Sequence, residues 1–123
     1  MSRAGHLETG WETERRALEM LEAAGLRLVE RNYRCPQGEL DLVLLHDGAV
    51  VVAEVRFPKD ASRGSAAETV GPEKRRKLIL ATRHFLQSHA ELRRKPLRFD
   101  VVAVTAGEGR GTVEWIQDAF QAD

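Results

Sequence analysis

Two apolar runs, ELDLVLL (residues 39–45) and AVVVAEV (49–55), stand only His46-Asp47-Gly48 apart. An Asp-Gly step between β-rich runs is the signature of a tight hairpin. Neither run alternates cleanly between apolar and polar, so both faces of these strands must be covered and the pair belongs in the middle of a sheet. The flanking sequence supplies the covering layers. Residues 10–24 (GWETERRALEMLEAA) place Ala17, Leu18, Leu21 and Ala24 on one helical stripe, with Gly25 as the stop. Residues 72–92 open on Pro72 and read as a second helix. Residues 26–34 and 97–105 add two more strands and 112–120 supply a last short strand and a tail, with turn chemistry at CPQG and GEGRG. The predicted fold is a single α/β domain over 1–123, a central mixed β-sheet flanked by helices in the order α-β-β-β-α-β-β. Residues 1–9 and 121–123 are expected as loose ends and 57–71 as a mobile loop.

Composition narrows the functional class. Hydrophobic residues at 42% and charged residues at 31% describe a soluble globular chain rather than a disordered one. No apolar stretch approaches the roughly 20 residues of a membrane span. The opening MSRAGHLETGW has no apolar core of a secretory signal, so a cytoplasmic location is expected. Cys35 is the single cysteine, which excludes an internal disulfide and a cysteine-cluster zinc site. The net charge of zero hides a segregation: residues 56–98 hold 12 Lys and Arg against 4 Asp and Glu. Such a basic segment is either a set of solvated helix faces or a footprint for phosphates.

The acids inside the apolar runs are the informative residues. Asp41 and Glu54 lie on adjacent strands, and Glu39 shares the Asp41 face by simple alternation. A buried carboxylate needs a compensating charge. For the pair alone, arginine partners and a divalent metal are equally good accounts. Glu14 falls within the inward stripe of the first helix and favours the metal, because hard cations take oxygen ligands. Lys74 likewise shares the inward stripe of Leu78, Ala81 and Phe85, which aims its ammonium at the same place.

The spaced residues Gly10, Glu14, Ala17, Leu21 and Gly25, with RNYR (31–34), GELDLV (38–43), AEVR (53–56), Lys74 and Lys77, RFDVV (98–102) and the closing Ala119-Phe120, together resemble the YraN-like bacterial family of predicted endonucleases. That family is similar to the PD-(D/E)XK nuclease superfamily and its archaeal Holliday-junction resolvases. The resemblance implies a restriction-endonuclease-like fold and metal-dependent cleavage of phosphodiester bonds, in branched or repair DNA. It implies that Asp41 and Glu54 hold Mg²⁺ or Mn²⁺, joined by the Val55 carbonyl and by Glu14 directly or through water. The motif lysine should fall at position 56, where this chain has Arg56. Arginine stays protonated and cannot act as a general base, so Arg56 or Lys74 would stabilise charge instead. Lys59 and Arg63 in the loop, and Arg75, Arg76 and Lys77 on the helix, are the expected phosphate contacts, with DNA preferred to RNA. A homodimer is open. So is a catalytically silent nucleic-acid-binding protein on the same fold, because of Arg56, and so is a protein adaptor with a purely structural acidic cluster.

Overall fold

The computed structural model describes residues 2–57, 70–105 and 112–122, with residues 2–11 described by backbone alone. Its elements are α1 (Ser2–Ala23), β1 (Arg27–Cys35), β2 (Gly38–His46), β3 (Ala49–Arg56), α2 (Pro72–Gln87), β4 (Leu97–Thr105) and β5 (Thr112–Phe120). The strands form one sheet in the order β1-β2-β3-β4-β5. Only β3 and β4 run parallel, and parallel neighbours need a crossover, which contains α2. This is the predicted α/β order with a mixed sheet between helices.

Each face of the sheet carries its own core. Leu42, Leu44, Val51, Ala53, Val102 and Val104 pack with Ala17, Leu18 and Leu21 of α1. Val43, Val50, Val52, Phe99, Val101 and Ala103 pack with Leu78, Ala81 and Phe85 of α2. The unbroken apolar runs of β2 and β3 therefore feed two opposed layers. The hairpin between them is a two-residue turn, with His46 facing Ala49 and positive φ at Asp47 (50°) and Gly48 (83°). That is the type I′ geometry whose twist matches the strands.

Three boundaries differ from the sequence expectation. The backbone of α1 is helical from Ser2, so residues 2–9 continue the helix rather than form a loose end. The apolar stripe starts only later, which is why Gly10 read as the beginning. At the other end the Leu26 amide bonds the Leu21 carbonyl and the Gly25 amide bonds that of Glu22, both at 3.0 Å, with Gly25 at φ 97°. This Schellman closure leaves Ala24 exposed, off the buried stripe. The third difference is that α2 ends at Gln87, not at 92, and a separate 3-10 turn covers Ala90–Leu92. The His89 ring stacks on Phe85 at 3.9 Å and its Nδ1 sits 2.9 Å from the Phe85 carbonyl, while Arg93 Nε donates to the Leu86 carbonyl at 2.8 Å. Side chains thus share the last helical carbonyls with the Ser88 and His89 amides.

One irregularity positions the site. Leu40 packs on the α2 side and Leu42 on the α1 side although they are two residues apart, so the strand's alternation breaks at Asp41. Across from it, between the pairs Arg31–Leu42 and Tyr33–Leu40, Asn32 has φ 53°. The β2–β3 ladder also ends here, at Leu42–Ala53.

Candidate functional site

Where that ladder gives out, a side chain replaces the backbone. Asp41 Oδ2 accepts the Val55 amide at 2.9 Å. A strand residue directs its N–H and C=O to the same side, so the Val55 carbonyl faces the same gap. Glu54 follows Val50 and Val52 on the α2 face of β3 and is only 4% exposed. Asp41 lies within hydrogen-bonding reach of it. The first turn of α2 brings Lys74 Nζ to 3.2 Å from Glu54 Oε2. Burial above all, then the hydrogen bond and negative charge of Asp41, push the Glu54 carboxyl up to about 8, against the lowering pull of Lys74. Near neutral pH Glu54 therefore holds a proton between two carboxylates.

Glu14 approaches from α1. Its Oε1 is sealed from solvent with no hydrogen-bond partner among the described residues. Burial, then the charge of Asp41, raises its pKa, with Arg31 pulling it down and Glu39 adding to the rise. Two acids that resist ionisation and an unpartnered buried oxygen are what a hard divalent cation relieves. The donor set is all oxygen, which suits Mg²⁺ or Mn²⁺ and not a soft metal. Yet no group of three or more His, Cys, Asp or Glu is gathered to hold a metal among the described residues. The arrangement fits a cation that Asp41 and Glu54 would hold, with the Glu14 carboxyl close enough to feel the Asp41 charge. Glu39, expected on the Asp41 face, is instead exposed and paired with Arg34 at 3.4 Å.

The basic residues divide. Arg56 is half-buried, two residues past Glu54 at the end of β3. Arg75, expected as a phosphate contact, is held within the fold: its Nε donates to the Val70 carbonyl at 2.7 Å and its guanidinium lies 5.0 Å over the Phe120 ring. Arg76 is exposed and bonds Glu73 at 2.9 Å. Lys77 is exposed, with its stem against Gly38. Lys59 and Arg63 lie outside the described residues.

Sequence reasoning passed over Asp100, which is fully buried. Its oxygens accept Arg98 Nε at 2.8 Å and Nη2 at 2.9 Å, Trp115 Nε1 at 2.8 Å and the Asp118 amide at 2.9 Å. This network joins β4 to β5 where their register shifts, between Phe99 and Val101. The signal was present: an arginine two residues from an acid in a buried strand. Tyr33 and His84, hydrogen-bonded between β1 and α2, carried no such signal.

Residues 13–104 match the model of a family described as uncharacterised protein family UPF0102. A UPF0102 protein of Saccharophagus degradans is 45% identical over 117 residues, 95% of this chain and 96% of its own length. One from Nitrosococcus oceani is 38% identical over 123 residues, covering 100% of this chain and 99% of the relative. One from Stutzerimonas stutzeri is 45% identical over 114 residues, covering 93% and 95%.

Proposed function

The chain belongs to the UPF0102 family, and from that premise we propose that it is a metal-dependent nuclease of the PD-(D/E)XK type acting on DNA in the cytoplasm. The observation that carries the reading is the pair of half-buried Asp41 and buried Glu54, with Lys74 at 3.2 Å from Glu54, set where the β2–β3 ladder ends. Two carboxylates pressed together in a sheet interior destabilise the fold unless a cation or a proton sits between them. Asp41, Glu54 and the Val55 carbonyl are the residues that would hold Mg²⁺ or Mn²⁺, with Glu14 taking part through water. When bound, such an ion activates water and offsets the charge that develops on a phosphodiester in hydrolysis. Lys74 keeps an ammonium at the same carboxylate and stabilises negative charge there, a role that Arg56 shares from the end of β3.

A second reading is supported by Arg56 itself. A guanidinium cannot deprotonate a water, and it stands where the superfamily places lysine. On this reading the protein binds metal and nucleic acid without cutting. Incubation of the purified protein with Mn²⁺ and linear, nicked or branched DNA separates the two. Cleavage that Glu54→Gln abolishes supports the nuclease; no cleavage by the natural protein or by Arg56→Lys, with metal still bound, leaves only the silent binder.

A further inference from the structure

Helix α2 presents cations on two opposed faces. Lys74 shares the inward stripe with Leu78, Ala81 and Phe85 and meets Glu54. At roughly 100° per residue, Arg76 and Arg83 lie on the opposite side. There the helix and the end of the chain bound a groove of about 520 Å³. Arg75, Arg76 and Arg83 edge it, Ile79, Leu80 and Phe120 line it, and no acid is among its described lining residues.

The three arginines are suited to an anion in different ways. Arg75 is fixed by the Val70 carbonyl and the Phe120 ring, so it loses little freedom on binding. Arg76 is paired with Glu73, but the two side chains are 64% and 67% exposed, and a surface pair of this kind yields at little cost. Arg83 is exposed and has no ion pair among the described residues. Arg76 and Arg83 are seven residues apart, which is ~10.5 Å along the axis. The volume is that of a small-ligand site, too small to admit a duplex. Cations at the rim with an apolar lining are what a single strand uses, since charge follows its backbone and its sugars and bases need apolar contact.

We infer that this groove binds a single-stranded nucleic-acid segment, with its phosphates on Arg75, Arg76 and Arg83 and its sugars and bases against Ile79 and Leu80. The inference rests on the reading of the chain as one that handles nucleic acid, but it uses neither Asp41 nor Glu54. Its test is fluorescence anisotropy on the full chain in EDTA. The probes are a labelled oligothymidine of about 12 nucleotides and a blunt duplex of matched length. In the variant with both Arg76→Ala and Arg83→Ala, single-strand affinity should fall about tenfold or more at low salt. The slope of log K against log salt should flatten by roughly 1.4, two contacts at about 0.7 each. Leu80→Glu, which leaves every arginine in place, should produce a comparable loss, with the far-ultraviolet spectrum confirming the fold. Glu54→Gln should bind the oligonucleotide as the natural protein does, so loss of the carboxylate site and loss of the groove are told apart.

No binding of the oligonucleotide by the natural protein would overturn the inference. So would full affinity and slope in the double variant, or an equal loss for duplex and single strand. A poly-glutamate peptide that binds more tightly than the oligonucleotide, and depends on the same two arginines, would reassign the groove to an acidic protein partner and overturn it as well.

Discussion

Glu54 ties the stability of the protein to pH. The carboxyl ionises near 4.5 when free and near about 8 in the fold, chiefly through burial and then through Asp41. Between those values the folded chain binds more protons than the unfolded one, so stability is complete below about 4.5 and is lost as pH rises through about 8. In EDTA the unfolding free energy should fall across that window by an amount on the order of a few kcal/mol, and the melting temperature should fall with it. Glu54→Gln should flatten the decline and melt higher than the natural protein at the alkaline end. An unchanged pH slope in that variant would place the titration elsewhere. Asp100 is held by its contacts: its carboxylate accepts from Arg98, Trp115 and the Asp118 amide. Asp100→Ala removes the acceptor of Arg98, Trp115 and the Asp118 amide, leaves Arg98 only His46 at 3.1 Å, and should cost about 3–5 kcal/mol, read as a drop in the denaturation midpoint at unchanged slope. These two buried acids sit in similar apolar runs with opposite consequences. Sequence distinguishes them poorly, since they lie one register step apart on neighbouring strands and the difference is in the side chains each one meets on its own face of the sheet.

At the scale of elements, α2 decides whether the site is an enzyme's. Lys74 is already at Glu54, and Arg56 lies one strand alternation beyond that acid. If Lys74 is the charge-stabilising group, Lys74→Ala should abolish Mn²⁺-dependent cleavage and Arg56→Lys should change it little. If Arg56 is the mis-shaped member of the set, Arg56→Lys should raise cleavage above that of the natural chain. Steady-state rates on nicked or branched DNA separate the two. The inward stripe that put Lys74 here was legible in its spacing from Leu78, Ala81 and Phe85, as was the Asp-Gly hairpin. The inward aim of Glu14 was legible for the same reason. The end of α2 was not, because the Phe85 and Leu86 carbonyls are bonded by the His89 and Arg93 side chains as well as by the Ser88 and His89 amides, a closure that periodicity does not register. Nor was the break at Asp41, which depends on Asn32 adopting φ 53° on the neighbouring strand. Simple alternation therefore put Glu39 on the Asp41 face, and the structure puts it outside with Arg34.

For the whole molecule, α2 itself stands between the acidic Asp41–Glu54 centre, which it meets through Lys74, and its own basic outer face, although the chain is neutral in sum. An apo centre with surplus negative charge is a standing cost to the fold, and a cation that binds only the folded chain must recover it through linkage. Mn²⁺ at ten times its dissociation constant should stabilise the protein by about 1.4 kcal/mol. For a chain of this size that is a rise of roughly 5 °C in melting temperature. Because the ion must displace the proton that Glu54 holds, affinity and thermal gain should both grow as pH rises toward about 8 and shrink in acid. This dependence runs opposite to the metal-free stability, so the melting curves with and without Mn²⁺ should draw apart as pH increases. Asp41→Asn and Glu54→Gln should each remove the gain, while Arg76→Ala, far from the carboxylates on the outer face, should keep it. A melting temperature indifferent to Mn²⁺ at every pH would mean that the proton alone compensates the pair. The acidic centre would then be structural, and the nuclease reading would fall with it.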